Sequence, residues 1–273
     1  MSENEPSNTY AQTFARGLKV ITTFDEGSRV LTLSDVAERT GVTRSTARRL
    51  LHTLVTLGYA ATDGKYFSLT PKILDLGFAY LSSSEIWRFA EADIQALASR
   101  VGESSSISVL DGHDIVYVLR VQTQRILKNS LNVGSRVPAH ANSMGRIQLA
   151  ELSDRELKHY LETVRLDAFT PWTITEPDRL KAAIVSDKAQ GWSMVYRELE
   201  EGIAGLAVPI RAAGGRVIAA ANISLAPVRL KEPGRKEELL QALQETAEKI
   251  QAHLLEGRSG RTPAEADRPV QPR

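Results

Sequence analysis

The feature that most constrains this chain is a pair of short helical patterns on either side of Gly41, in the segment LSDVAERTGVTRSTARRLLHTLVTLGYA. Ser34 is predicted to cap a helix over residues 35–40, and Gly41 to end it in the left-handed conformation that glycine adopts readily. Thr43 is predicted to cap a second helix, whose apolar residues recur every three or four positions. The predicted buried stripe of that helix is Ala47, Leu50, Leu51, Leu54 and Leu57. Two helices joined by such a turn predict a helix-turn-helix.

A hairpin pattern follows the second helix directly. Residues 59–62 and 66–69 are β-prone, and the intervening Asp63-Gly64-Lys65 is typical of a tight turn. This hairpin predicts a wing beside the helix-turn-helix. An amphipathic helix over residues 8–24 precedes both, and its apolar stripe predicts a seam between two copies of the chain.

Basic residues are concentrated in this region, although the whole chain is almost neutral. From Arg39 to Lys72 there are six basic residues and one acid, whereas the formal net charge of the 273 residues is +1. The first turns of such a second helix enter the major groove, where arginine contacts phosphates or guanine edges. A solvated helix face is the alternative, but the coincidence of motif, wing and charge favours double-stranded DNA. The predicted DNA-contacting residues are Thr43, Arg44, Ser45, Thr46, Arg48, Arg49 and Lys65.

The pattern changes to mixed helices and strands after residue 70, where Thr70 is predicted to cap a connector helix over residues 71–85 with Pro71 in its first position. Residues 86–256 are predicted to form a second domain and residues 257–273 a disordered tail. Predicted strands lie at 105–110, 115–121, 125–132, 192–197, 203–211 and 216–225, and predicted helices at 143–151, 153–164, 176–190 and 236–256. The predicted fold class is therefore α+β, with a winged helix-turn-helix domain over residues 1–70 and an antiparallel sheet in the second domain.

Composition and motif searches argue against several classes of function. The chain has no cysteine, no run that approaches 18 apolar residues and no signal-peptide pattern at its start, so we expect a cytoplasmic protein that binds no membrane. Its five histidines form no metal motif and Ser143 lies in no nucleophile elbow, so we expect no metal, cofactor or catalytic residue. Glu198, Glu200 and Glu201 are predicted to be a solvated acidic run. An enzyme fused to a DNA-binding module is the alternative that these observations disfavour.

The segment PAHANSMGRIQLAEL predicts a site for a small anion in the second domain. Ser143 is predicted to cap a helix whose first free amides, on Met144, Gly145 and Arg146, would attract a carboxylate. Alternation along the strand over residues 216–225 places two polar side chains, Asn222 and Ser224, on one face with small apolar groups. Arg120, at a strand end, is a candidate to neutralise a ligand carboxylate, with a surface ion pair as the alternative. Tyr196 and Trp172 are candidates for an aromatic wall, with core packing as the alternative.

The chain resembles the IclR family of bacterial transcriptional regulators across about residues 10–255. Three segments carry the resemblance: the winged helix-turn-helix with LSDVAERTGVTRSTARRLLHTLVTLGYA, the segment PAHANSMGRIQLAEL, and the segment GIAGLAVPIRAAGGRVIAAANIS. The segments SMGR and DGHDIVYVLRV resemble the branch that contains PcaR, PcaU and PobR, which governs aromatic-acid catabolism through protocatechuate and β-ketoadipate. The resemblance implies a GAF-like effector domain, a homodimer or a tetramer built as a dimer of dimers, and inverted-repeat operators.

The resemblance also implies where an effector is held. The family's effector-contacting loop and strands align with positions in this chain, and Gly205 stands where many members carry serine or cysteine, so a hydrogen bond made there by relatives is not expected. With Arg120 added, the predicted effector-binding residues are Asn142, Ser143, Met144, Gly145, Val195, Tyr196, Gly205, Asn222, Ser224 and Arg120. The predicted function is a DNA-binding regulator controlled by a small aromatic or dicarboxylic acid. A second domain that mediates only assembly is the alternative.

Overall fold

A computed structural model describes residues 10–25, 27–83, 85–123 and 131–258 of the chain. The chain separates into two compact units between Leu81 and Ser82. The beginning of the predicted helix over residues 8–24, most of the predicted strand over residues 125–132 and most of the predicted tail lie outside the described residues.

The first unit combines three helices with a small sheet. Its elements are α1 (Gln12–Ile21), β1 (Leu31–Thr32), α2 (Leu33–Thr40), α3 (Arg44–Thr56), β2 (Ala60–Thr62) and β3 (Tyr66–Leu69). β2 and β3 form an antiparallel hairpin, and β1 pairs with the free side of β3. Val20, Val36 and Leu51 are buried between the helices, and Phe67 of the hairpin closes this core. Leu57, predicted to be buried, is 53% exposed because α3 has already ended.

One helix cap in this unit differs from the prediction. Thr32, and not Ser34, caps α2: its hydroxyl accepts a hydrogen bond from the backbone N–H of Asp35 at 3.3 Å, and the Asp35 carboxylate accepts one from the backbone N–H of Thr32 at 2.8 Å. This capping box begins the helix two residues earlier than predicted. Thr43 caps α3 as predicted, and Gly41 follows α2 with a φ of 70°.

The connector region consists of a 3₁₀ turn (Pro71–Ile73) and α4 (Leu74–Ser83), after which α5 (Glu85–Val101) begins. Pro71 occupies the first position of the 3₁₀ turn, as predicted. Thr70 does not cap it through its side chain, because its hydroxyl instead donates to the carbonyl of Gly58 at 2.5 Å. The prediction of a side-chain cap at Thr70 is therefore wrong.

The second unit is built on a six-stranded sheet. After α5 its elements are β4 (Ser104–Asp111), β5 (Asp114–Val121), β6 (Arg136–Pro138), α6 (Ser143–Leu149), α7 (Asp154–Thr163), α8 (Pro177–Gln190), β7 (Ser193–Tyr196), β8 (Ala204–Arg211), β9 (Val217–Leu225) and α9 (Arg235–Arg258). The strand order is β6-β5-β4-β9-β8-β7 and each neighbouring pair is antiparallel. α6 packs on β8 and β9, while α5 and α9 pack on each other and cover the opposite face. The predicted α+β class with an antiparallel sheet is confirmed.

Two short strands, β1 and β6, have no counterpart in the prediction. Each has at most three residues, which is too short for an alternating pattern to stand out. β6 pairs with β5 and extends the sheet towards the 3₁₀ turn Ala139–Ala141, which leads into α6. Among the described residues, no helix is both long and apolar enough to cross a bilayer.

Candidate functional sites

The first two turns of α3 present a cationic surface. Arg44, Arg48 and Arg49 are exposed, while Ala47 and Leu51 of the same helix are fully buried. Within the described part of the chain, none of the three arginines has an acidic partner. Because no acidic side chain of the described residues engages their guanidinium groups, these groups are available to phosphates or base edges.

Hydroxyl groups fix the start of α3. The Thr43 hydroxyl accepts a hydrogen bond from the backbone N–H of Thr46 at 3.2 Å and donates one to the Thr46 hydroxyl at 3.0 Å. The Ser45 hydroxyl lies 3.0 Å from that of Thr43. These contacts set the residue at which the helix begins, and therefore the direction in which the arginines of its first turns point.

The tip of the hairpin carries the remaining predicted contact, Lys65. The Asp63 carboxylate accepts hydrogen bonds from the backbone N–H groups of Tyr66 at 2.7 Å and Lys65 at 2.9 Å, and these bonds lower the pKa of Asp63. Gly64 has a φ of 97°, which the turn requires and which few other residues adopt. The Lys65 ammonium is exposed and lies 4.9 Å from the centre of the Tyr66 ring. The hairpin therefore holds a cation at its tip.

A cavity in the second unit brings together most of the predicted effector residues. It encloses about 460 Å³, including solvent at its open mouth. Its described lining consists of Tyr117, Leu131, Ala141, Asn142, Ser143, Met144, Val195, Glu198, Leu199, Glu200, Ile203, Gly205, Asn222 and Ser224. Of the predicted residues, only Gly145, Tyr196 and Arg120 are absent from this lining.

The cap of α6 differs from the prediction. Asn142, and not Ser143, caps the helix, because its backbone is extended and its side-chain carbonyl accepts a hydrogen bond from the N–H of Gly145 at 2.8 Å. The N–H of Arg146 donates to the backbone carbonyl of Asn142 at 3.1 Å. Three backbone amides were predicted to face an anion. Those of Gly145 and Arg146 already donate to Asn142, so only the amide of Met144 could still donate to a ligand.

Two glycines allow close packing around the same helix. A β-carbon on Gly205 would lie 2.7 Å from the Ser143 hydroxyl oxygen, so this hydroxyl occupies the space that a larger residue in β8 would fill. A β-carbon on Gly145 would overlap the backbone of Ala139, including its carbonyl oxygen. Gly145 thus lets the preceding 3₁₀ turn cross α6, and it contributes to packing without lining the cavity.

Tyr196 lies outside the cavity. Alternation along β7 turns Val195 towards the cavity and Tyr196 to the other side, where it is 42% exposed. Trp172 also lies outside, 43% exposed, with the guanidinium carbon of Arg197 3.9 Å from its ring centre. The prediction of an aromatic wall from these two residues is wrong.

Arg120 does not reach the cavity surface either. Its Nη1 donates to the Ser106 hydroxyl at 3.1 Å, and its guanidinium carbon lies 5.1 Å from the centre of the Tyr117 ring, which itself lines the cavity. Arg120 is therefore not placed to neutralise a ligand carboxylate in the cavity. It does not form the alternative surface ion pair either, because no ion pair involves Arg120 among the described residues.

A buried ion pair at the cavity was missed by sequence reasoning. Nη2 of Arg146 lies 2.5 Å from Oε2 of Glu198, and the two side chains are 5% and 9% exposed. The prediction that Glu198 belongs to a solvated run is therefore wrong, whereas Glu201 is 59% exposed. One available signal was that Arg146 lies among apolar residues in the segment SMGRIQL, and a buried arginine requires an anionic partner.

The loop over residues 197–203 forms one wall of the cavity and is held by side-chain hydrogen bonds. Arg197 has a φ of 65°, an uncommon conformation for a residue other than glycine. The Thr170 hydroxyl donates to the carbonyl of Arg197 at 2.8 Å, and the Thr173 hydroxyl to that of Glu198 at 2.6 Å. These contacts stabilise a backbone conformation that would otherwise be unfavourable.

The imidazole of His140, in the 3₁₀ turn that precedes α6, makes structural contacts. His140 is fully buried, its Nε2 lies 3.3 Å from the carbonyl oxygen of Asp167, and burial lowers its pKa. Across the described residues there is no cluster of three or more His, Asp or Glu that could hold a metal ion.

Known proteins resemble the chain in both units. The model of the IclR helix-turn-helix domain matches residues 13–64, and that of the bacterial transcriptional regulator IclR C-terminal region matches residues 78–252. The Pca regulon regulatory protein of Pseudomonas putida is 43% identical over 216 residues, which are 79% of this chain and 74% of that protein. The p-hydroxybenzoate hydroxylase transcriptional activator of Acinetobacter baylyi is 32% identical over 255 residues, covering 91% of this chain and 94% of its own.

A solved structure agrees with the fold. The crystal structure of an IclR homologue from Microbacterium hydrocarbonoxydans, complexed with 4-hydroxybenzoate, superimposes with a TM-score of 0.78 at 26% identity. The match covers 89% of this chain and 99% of that one. The named relatives are transcriptional regulators and not enzymes, in agreement with the rejection of a catalytic role, and they support the branch that the sequence resembles.

Proposed function

Because this chain belongs to the IclR family of bacterial transcriptional regulators, we propose that it binds operator DNA through α3, with an affinity set by a small aromatic acid in the cavity of its second unit. The observation that carries the DNA-binding part is the capped helix α3, whose Arg44, Arg48 and Arg49 are exposed and have no acidic partner in the described part of the chain. The side chains of the first turns contact base edges in the major groove, and Lys65 of the wing contacts the phosphate backbone.

A two-fold homodimer presents two such helices to one duplex. Its operator is then an inverted repeat, with half-sites separated by about one helical turn or a multiple of it. A tetramer built as a dimer of dimers binds two such sites. The exposed apolar side chains of α1, Phe14 and Leu18, support assembly through the first unit.

The cavity suits a small acid with polar substituents. Apolar walls such as Met144 and Val195 alternate with the polar Ser143, Asn222 and Ser224. A relative that is named an activator for p-hydroxybenzoate hydroxylase, and a family structure with bound 4-hydroxybenzoate, support an aromatic acid. In this proposal the effector contacts Ser143, Asn222 and Ser224.

Effector binding changes DNA affinity only if the effector prefers one arrangement of the protein. Typical coupling free energies are about 1–3 kcal/mol, which correspond to about a 5- to 150-fold change in operator affinity. The same factor must appear in effector affinity when the operator is bound. α4 is the segment of chain that joins the two units, so the coupling passes along it or across the contacts between subunits.

Fluorescence anisotropy with labelled DNA from the region flanking the protein's own gene tests the proposal. Titrations are run with and without protocatechuate, 4-hydroxybenzoate and β-ketoadipate, and a scrambled duplex is the control. We expect binding to the native duplex, with an affinity that falls with salt and that at least one aromatic acid alters. Equal affinity for both duplexes would refute specific binding, and indifference to every acid would favour a second unit that only mediates assembly.

A further inference from the structure

The carboxyl end of α3 presents backbone carbonyls that its own helix does not use. Gly58 follows the helix with a φ of 79°, and the N–H of Tyr59 donates back to the carbonyl of Leu54 at 2.8 Å. In a helix that ends in this way, the carbonyls after the last full turn have no donor within the helix. Those of Leu57, Gly58 and Tyr59 are therefore open to donors from another segment.

The segment that joins the wing to α4 supplies these donors. The Thr70 backbone N–H donates to the carbonyl of Tyr59 at 2.9 Å, and the Thr70 hydroxyl donates to that of Gly58 at 2.5 Å. The Lys72 ammonium donates to the carbonyl of Leu57 at 2.8 Å and lies 4.9 Å from the centre of the Tyr59 ring. We call these contacts of Thr70 and Lys72 the connector clamp, because they hold three successive carbonyls.

The lysine of the connector clamp has a counterpart on the other helix of the motif. Lys19 of α1 donates to the carbonyl of Thr40, the last residue of α2, at 2.8 Å. The carboxyl end of a helix carries partial negative charge, which favours a cation there. Both helices of the helix-turn-helix thus end against a lysine, and only that of α3 comes from the connector.

The connector clamp is continuous with α4. The N–H of Ile73 donates to the carbonyl of Thr70 at 3.1 Å. The N–H of Leu74, the first residue of α4, donates to the carbonyl of Lys72. α4 itself lies little against the rest of the chain, since Leu74 and Phe78 are 70% and 68% exposed. The clamp is therefore a direct hydrogen-bonded route from α4 to α3 within one chain.

The proposed function leaves open how the two sites are linked, and the present step rests on that function. We infer that Thr70 and Lys72 are positioning residues that transmit the effector-bound state from α4 to α3. Tyr59 directly precedes β2 of the wing, so the wing moves with the end of α3 when the clamp moves. Coupling requires an element whose arrangement both sites bias, and the clamp makes the end of α3 such an element.

The variant Lys72→Met tests this inference, because it keeps an unbranched side chain and removes the donor. Fluorescence anisotropy measures operator affinity with and without one acid. That acid is whichever of protocatechuate, 4-hydroxybenzoate and β-ketoadipate changes the operator affinity of the unmodified protein most. We expect the ratio of the two affinities to fall from about 5- to 150-fold to within about twofold. Effector affinity, measured by calorimetry, should likewise lose its dependence on bound operator.

Further variants separate transmission from a general loss of structure. Lys72→Arg should retain the ratio, because a guanidinium group also donates hydrogen bonds. Lys19→Met is the matched control, since it removes the same kind of contact from α2, and it should keep the ratio of the unmodified protein. Thr70→Val removes the hydroxyl donor and keeps the backbone N–H. It should also lower the ratio, and it decides the inference if thermal melting shows that Lys72→Met does not fold.

The outcomes distinguish this inference from the proposed function. If Lys72 contacts a phosphate instead, Lys72→Met weakens binding equally with and without the acid and lowers the salt slope by about one. That result, or an unchanged ratio in the folded variant, would overturn the inference and leave the regulator intact. Loss of the ratio in Lys19→Met alone would place the coupling in α1. If no acid alters the operator affinity of the unmodified protein, effector control and the inference both fail.

Discussion

Two arginines show how the same residue type takes different roles in this protein. Arg48 is exposed on α3 and has no acidic partner in the described chain, whereas Arg146 is buried and paired with Glu198. An exposed guanidinium keeps its hydration until it meets an external anion, while a buried one needs an internal partner. Arg48 is therefore suited to binding, and Arg146 holds the cavity wall in place.

Arg48→Ala is expected to weaken operator binding without changing effector affinity. Loss of one base or phosphate contact costs about 1–3 kcal/mol, or about 5- to 150-fold in affinity. Anisotropy measures the first quantity and calorimetry the second on one preparation. Arg179→Ala on α8, where the side chain is 68% exposed, is the control. Unchanged DNA affinity in Arg48→Ala would remove this residue from the interface.

His140 predicts a specific pH dependence of stability. Burial lowers the pKa of His140 in the folded chain, whereas in the unfolded chain this histidine has the ordinary pKa of 6.5. The unfolded state therefore binds more protons below about pH 6.5, so stability is lost as the pH falls from there towards the folded pKa. His140→Gln should show a smaller fall in Tm between about pH 7.5 and pH 5.5.

The exposed His159 offers the control for this measurement. Thermal melts of His159→Gln should follow the unmodified protein at each pH. If His140→Gln loses as much stability on acidification as His159→Gln does, burial of the His140 ring is not the source of the pH dependence.

At the scale of single elements, local hydrogen bonds decide where helices begin. Thr32 caps α2 in place of Ser34, and Asn142 caps α6 in place of Ser143. The three residue types involved, Thr, Ser and Asn, are all good caps, so composition alone cannot choose between neighbours. The choice follows from the extended backbone that Thr32 and Asn142 adopt, which lets their side chains reach the third N–H of the helix.

The close contact between α6 and the preceding 3₁₀ turn predicts that any side chain at Gly145 destabilises the fold. Gly145→Ala inserts a methyl group against the backbone of Ala139, which must shift, and we expect a loss of about 1–3 kcal/mol in the free energy of unfolding. Gly202→Ala is the matched control, since a β-carbon there meets no atom within 4 Å. Urea unfolding followed by circular dichroism compares the two, and equal midpoints would contradict the packing argument.

At the scale of the whole molecule, DNA binding and effector binding belong to different units. The arginine face of α3 lies in the first unit and the cavity in the second, and each unit has its own buried residues. In the dimer that we propose, assembly through the first unit would give one duplex two recognition helices. The exposed side chains Phe14 and Leu18 of α1, 69% and 46% exposed, are the surface we expect to be covered in the dimer.

Phe14→Asp is therefore expected to shift the full chain from dimer to monomer. A carboxylate buried in an apolar interface is strongly unfavourable, and operator affinity should fall with the loss of the second recognition helix. Sedimentation velocity and anisotropy measure the two effects. Val185→Asp on α8, where Val185 is 55% exposed, introduces the same charge elsewhere. A Phe14→Asp protein that remains dimeric at the same concentrations would rule out this seam.

The sequence by itself determined the helix-turn-helix, the wing, the α+β class and the family, because these depend on local spacing, capping residues and short motifs. It also indicated most of the residues that line the cavity, through strand alternation and the motif around Ser143. Only the tertiary structure decided that Glu198 is buried against Arg146, 52 residues away in the chain, and that Gly145 packs against a turn. Local patterns do not state which distant groups meet, and burial of a charge depends on that meeting.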